Sequence, residues 1–210
     1  MELDNIYKTV HKFGKDTIII NKSRFIGYAT PIESEKDALD FIDRIKTEHR
    51  DATHNVYAYV LGENNNVQKF SDDGEPSGTA GKPVLEVIKS TDVKNVLIVV
   101  TRYFGGIHLG ASGLIRAYSE SASRGLKNSK IVKKIKCDVF EITTDYNMLG
   151  KLQWELNQKD LIIKDIKYAE DVKMEINVPK NYPIDIWQFI LDLTSGNADV
   201  KLVGSEYIVK

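Results

Sequence analysis

The sequence predicts an α+β protein of two domains, and three observations predict it. At 210 residues the chain exceeds one small domain. From about residue 133 its segments run strand, helix, strand, strand, helix, strand, the ferredoxin-like split βαβ arrangement. Before that point, strands and helices gather around the most hydrophobic run of the chain, Val96–Val100. The division is therefore placed at 1–132 and 133–210.

Residues 17–32 are β-rich, interrupted by the polar Asn21-Lys22-Ser23-Arg24. Ser34 can cap a helix whose apolar face is Ala38, Leu39, Phe41, Ile42 and Ile45, running to about residue 48. Val56–Leu61 reads as a strand buried on both faces, and Asn64-Asn65-Asn66 as a turn into a strand at Val67–Phe70. Ala80–Ile88 is helical, with Pro83 tolerable near the first turn. Val96–Tyr103 is the central strand and Ala111–Leu126 a helix. The stretch from Lys127 to Lys136, with five lysines, carries the crossover.

The second part begins with strand Ile135–Thr143 and helix Tyr146–Asn157, capped by Asp145. Strands Leu161–Tyr168 and Val172–Val178 form a hairpin around Glu170-Asp171. Helix Pro183–Thr194 places proline in its favoured first turn, and strand Val200–Val209 closes the chain.

A composition 42% hydrophobic and 28% charged is that of a soluble globular protein, and a net charge of −1 excludes a globally basic nucleic-acid binder but not a local basic face. Cys137 is the only cysteine, so no intramolecular disulfide and no cysteine-based zinc site can form. A reducing cytoplasm fits, the first residues lack the pattern of a signal peptide, and no apolar run spans a bilayer. Cys137 itself reads as an inert core thiol.

Chemistry concentrates between Phe70 and Tyr118. The acidic turn Asp72-Asp73-Gly74-Glu75 lacks the ligand spacing of a calcium loop, so turn formation is the better explanation. Gly78-Thr79-Ala80-Gly81-Lys82-Pro83 has Pro76 and Pro83 where a Walker loop needs glycine and Ser/Thr. Anion binding by its backbone at a helix start stays open. Gly105, Gly106, Gly110 and Gly113 follow a strand and open a helix without the dinucleotide spacing. They serve either close packing or a phosphate held at the helix start. Arg24, Lys82, Arg102 and Arg116 fall near loops that are expected to converge, with Tyr103 and Phe104 beside them to stack, unless Phe104 belongs to the core. Internal pairing of the arginines with Asp72, Asp73 and Glu75 is the alternative. His11, His49, His54 and His108 lack metal-ligand spacing, and no metal or cofactor is implied. His54, with Asp73 or Glu75, forms an acid–base pair if the loops fold over it.

The segments KSRFI (22–26), DDGEPSGTAGKP (72–83), TRYFGGIHLG (101–110) and GLIRAY (113–118) together resemble the YigZ/IMPACT family. The resemblance implies an N-terminal domain similar to domain 2 of ribosomal protein S5 and to domain IV of elongation factor G. It implies a ferredoxin-like C-terminal domain similar to one of elongation factor G. It also implies RNA or ribosome binding with a role in translation regulation. The kinase-pathway role of eukaryotic relatives depends on an additional N-terminal module for which this sequence has no counterpart before residue 17. Arg24, Lys82, Arg102, Tyr103, Gly105, Gly106 and Arg116 are then the expected binding surface, without DNA sequence specificity. The competing class is an enzyme acting on a small phosphorylated or carboxylated metabolite at the same loops. A protein-interaction module is the third.

Overall fold

The computed structural model describes residues 5–209. It divides into two compact units, one spanning Tyr7–Lys133 and the other running from Lys134 onward with Asn5 and Ile6.

The N-terminal unit is built on a five-stranded antiparallel sheet. Its strands are β2 (Gly14–Ile20), β3 (Ser23–Pro31), β4 (His54–Leu61), β5 (Val67–Ser71) and β6 (Val96–Tyr103), ordered β2-β3-β6-β4-β5. A strand β1 (Ile6–Val10), absent from the sequence expectation, precedes it. Asn21 and Lys22, with φ of 46° and 64°, make the two-residue turn between β2 and β3. Left-handed conformations at both turn positions match the strand twist, so the polar interruption is a tight hairpin.

Helix α1 (Glu35–Glu48) covers one face of this sheet. Ser34 accepts from the Asp37 N–H while the Asp37 carboxylate accepts from the Ser34 N–H, closing a capping box. Helices α2 (Gly81–Thr91) and α3 (Gly110–Asn128) cover the other face. The sheet is thus sandwiched, and its central strand must be apolar on both sides. That requirement explains the unbroken run Val96, Leu97, Ile98, Val99 and Val100, all fully buried. Leu97 and Val99 meet α1, while Val96, Ile98 and Val100 meet α2 and α3.

Helix α3 lies almost in backbone contact with the sheet. A β-carbon built on Gly27 of β3 would stand 2.1 Å from the Ser121 carbonyl oxygen, and one on Gly125 would stand 2.8 Å from the Gly27 carbonyl. Glycine is needed at these two positions because no side chain fits between the elements.

The C-terminal unit has β7 (Ile131–Thr144), α4 (Tyr146–Gln158), β8 (Ile162–Tyr168), β9 (Val172–Pro179), α5 (Ile186–Thr194) and β10 (Asp199–Val209). The order of pairing, β8-β9-β7-β10, is antiparallel throughout and is that of the ferredoxin-like fold. The core is formed by Ile142, Leu152, Leu156, Met174, Ile176, Ile190 and their neighbours. Cys137 is buried, and burial first, then the Glu206 charge, pushes its thiol pKa up.

Two boundaries differ from expectation. The lysine run from Ile131 onward is strand rather than crossover loop. Pro183 lies ahead of α5, because the Asp185 side chain caps the helix by accepting from the Trp187 and Gln188 N–H groups. A carboxylate at the cap satisfies donors that proline at the first turn would only delete.

Candidate functional site

A cavity of about 390 Å³ opens in the N-terminal unit on the face that carries α2 and α3. Its floor holds Arg102, Glu75 and His54, its walls are Pro76, Phe104, Leu109 and Leu114, and its far side is His108 with the first residues of α3, Gly110 and Ala111.

The floor is organised by one carboxylate oxygen. Glu75 Oε1 accepts from the Arg102 guanidinium at 2.6 Å and from the Tyr118 hydroxyl at 2.7 Å. The Arg102 and Glu75 side chains are 6% and 4% exposed. Burial, and then the hydrogen bond to Glu75, push the Tyr118 pKa far up, so its hydroxyl remains a donor. Arg102 also reaches Ser23 Oγ at 3.4 Å, while its Nε is buried with no hydrogen-bond partner. The two formal charges offset each other, so the floor is polar without being basic.

Glu75 reaches this position because Asp72 ties its loop into a fixed turn. Asp72 Oδ2 accepts from the Gly78 N–H, and Oδ1 accepts from those of Ala80 and Gly81. The start of α2 is therefore occupied by the chain's own carboxylate, which takes the Ala80 and Gly81 donors that an anion at that loop would use. Replacing Asp72 with alanine strands these three N–H groups and should destabilise the unit by about 2 kcal/mol, the upper range for a lost cap. Hydrogen exchange at Gly78, Ala80 and Gly81 reads the effect; protection unchanged at those amides would refute it.

The start of α3 is different. Its cap position is Leu109, no side chain accepts from its first N–H groups, and its first turn holds no acidic residue. The remaining four helices each have a side-chain acceptor at their start. A 19-residue helix thus presents free N–H donors and the positive end of its dipole to the cavity.

Of the residues expected to act as acid–base groups or binding surface, His54, Glu75 and Arg102 line this cavity and the other six binding-surface residues do not, while Gly110 of the second glycine loop lines it as well. Arg24 and Tyr103 lie on the opposite face of the sheet, where the Arg24 guanidinium sits 4.3 Å from the Tyr103 ring centre. Tyr103 follows Arg102 on β6, and successive strand residues point to opposite faces. There Tyr103 joins a partly buried chain: Tyr28 bonds His49 Nε2 at 2.5 Å, and His49 Nδ1 bonds the Tyr103 hydroxyl at 2.7 Å. Lys82 and Arg116 are exposed on their helices. Gly105 donates its N–H to Ser23 Oγ and packs against the Lys22 backbone; Gly106 adopts a φ of 84° in open space. Convergence of the four basic residues is accordingly not found, and Arg102 is an internal ion-pair partner. The α3 start had entered only as one of two readings of Gly105, Gly106, Gly110 and Gly113, and its lack of a cap and the place of His108 were not foreseen. Their signal was present in Leu109, an apolar residue where a cap would stand.

Among the described residues, no group of three or more His, Cys, Asp or Glu is placed to hold a metal ion, and no helix is long and apolar enough to cross a membrane.

Comparison with known proteins covers both units. The model of the Impact N-terminal domain matches residues 21–126, which include every residue lining the cavity, and a domain of unknown function (DUF1949) matches residues 142–197. IMPACT family member YvyE of Bacillus subtilis is 44% identical over 97% of this chain and 94% of its own length. IMPACT family member YigZ of Escherichia coli is 32% identical over 85% of this chain and 88% of its own. Protein IMPACT homolog of Saccharomyces cerevisiae is 34% identical over 45% of this chain and 38% of its own. A crystal structure of a hypothetical protein, 28% identical, aligns over 95% of this chain and 98% of its own with a TM-score of 0.63.

Proposed function

The chain belongs to the IMPACT family, and from that premise and the geometry of the cavity we propose that its N-terminal unit binds a small ligand carrying a phosphate or carboxylate. The observation that carries the reading is the uncapped start of α3 opening into a cleft beside Arg102. Free helix N–H donors and the helix dipole select an anion without requiring net positive charge. Phe104, Leu109, Leu114 and Pro76 supply apolar walls for the body of the ligand. A few polar groups at one end of an apolar cleft of this size is the usual build of a small-molecule site.

The test uses inorganic phosphate and a substitution with opposite effects on folding and binding. Phosphate should shift the amide resonances of residues 110–113. Ala111→Asp places a carboxylate of the protein in the first turn, which should stabilise α3 by about 0.5 kcal/mol and weaken phosphate binding about tenfold or more by occupying the same donors. If no amide in that turn responds to phosphate, or if Ala111→Asp binds as well as the parent, the reading is wrong.

One observation favours RNA or ribosome binding as a second reading. Arg24 is exposed and lies over Tyr103, a cation on an aromatic ring of the kind a single strand uses. This surface is on the other side of the sheet and does not involve Arg102. Ribosome co-sedimentation abolished in Arg24→Glu, with phosphate binding intact, would favour it; co-sedimentation unchanged in that variant would discard it.

A further inference from the structure

His54 is the polar group of the cavity floor that the ion pair does not use. It opens β4 directly across from Arg102 on β6. Its Nδ1 lies 2.7 Å from the Asp73 carbonyl oxygen. A carbonyl only accepts, so Nδ1 carries the ring proton, and in the neutral ring Nε2 carries a lone pair. Nε2 stands 3.8 Å from Glu75 Oε1, beyond hydrogen-bond length. That oxygen already takes donors from Arg102 and Tyr118. The His54 side chain is 18% exposed, and what it exposes lines the cavity.

The ring is also held from behind. Asp73 Oδ2 accepts from the Asn55 N–H at 2.6 Å, and Asp73 Oδ1 pairs with Lys46 at 3.2 Å. Gly74 closes over the ring, with a position for a β-carbon 3.5 Å from Cε1 and Nδ1. A carbonyl fixed in this way sets both the tautomer and the direction of Nε2, the arrangement by which an orienting partner prepares a histidine for proton transfer.

We propose that His54 is the proton-exchanging residue of this cavity, accepting a proton at Nε2 from the ligand or from water when an oxyanion occupies the start of α3. This rests on the anion-binding reading above. Nδ1 keeps its proton, Nε2 gains one, and the imidazolium lies between Glu75 and the bound anion. The floor then changes from neutral, Arg102 with Glu75, to a single positive charge that matches the ligand. The ligand class is an oxyanion with a proton-bearing atom next to it, such as a phosphate monoester or a hydroxy acid. The groups facing His54 are Glu75 from the loop before α2, Arg102 from β6 and His108 from the loop before α3. Tyr118 from α3 completes them, with Asp73 and its partner Lys46 behind the ring.

The experiment follows the imidazole nitrogens of the full chain by NMR across pH, with and without saturating sulfate. Sulfate stays a dianion throughout the neutral range, so any proton taken up belongs to the protein. In the neutral ring His54 should show its proton on Nδ1. Its titration midpoint should rise by about one pH unit or more in sulfate, which by linkage means tenfold or tighter sulfate binding to the protonated form. His54→Gln should still show sulfate shifts at residues 110–113 but lose the pH dependence of binding. A proton on Nε2, a midpoint that sulfate leaves unmoved while those amides respond, or a shift borne by His108 alone overturns the assignment. Absence of any amide response to sulfate overturns the anion-binding reading beneath it.

Discussion

Glu75→Ala is expected to lower the stability of the N-terminal unit by about 3–5 kcal/mol, the loss typical when one partner of a buried ion pair is removed. The Arg102 side chain is only 6% exposed, so little of its guanidinium can be solvated in place of the lost carboxylate. Without Glu75, the guanidinium and the Tyr118 hydroxyl both lose the one oxygen they share. Urea unfolding reads the effect as a lower midpoint at unchanged slope. Glu75→Gln should fall between the two proteins, since it keeps an acceptor for Tyr118 but not the charge. The double variant Glu75→Leu/Arg102→Met should recover much of the loss, because a buried pair replaced as a whole by apolar groups is often neutral. If Glu75→Ala costs less than about 1 kcal/mol, the pair is solvated and the description of the floor is wrong.

Gly27→Ala should destabilise the same unit by about 3 kcal/mol, at the upper end for overpacking. The reason is proximity and not backbone strain. The new methyl would meet the Ser121 carbonyl carbon and oxygen at 2.8 and 2.1 Å, and neither atom can rotate away. Gly106→Ala provides the contrast. Its φ of 84° is costly for alanine, but nothing lies within 4 Å of the added carbon, so the loss there should be about 1 kcal/mol. Thermal unfolding of the two variants decides the matter; equal losses would mean that α3 retreats from β3 without penalty.

What the sequence revealed follows the range of the interactions. The capping boundaries of α1 and α4 depend on residues three apart, and Ser34 and Asp145 announced them. The central strand was legible because burial on both faces leaves an apolar run. Strand β1 was missed since Ile6-Tyr7-Lys8-Thr9-Val10 is short and pairs only with distant segments. The lysines after Ile131 looked like a loop, yet exposed strand positions accept lysine freely.

The site was less legible for a similar reason. That Arg102 and Tyr103 face opposite ways was readable from strand alternation, and grouping them was an error of inference and not of information. The pairing of Glu75 with Arg102 was available only as an alternative, because it needs Asp72 to fold its loop back over β4 and β6. His54, expected only as an acid–base partner, lines the cavity because the register sets it opposite Arg102.

The close seating of α3 on β3 has a mechanical consequence. The helix meets β3 backbone to backbone from Ser121 to Gly125, and its start at Gly110 lies about 16 Å ahead of Ser121 at 1.5 Å per residue. A tilt of about 7° at that seat would carry the helix start through roughly 2 Å, most of a hydrogen-bond length. The tolerance with which the helix start meets its ligand is therefore machined at the far end of the rod, by two hydrogen atoms on Gly27 and Gly125.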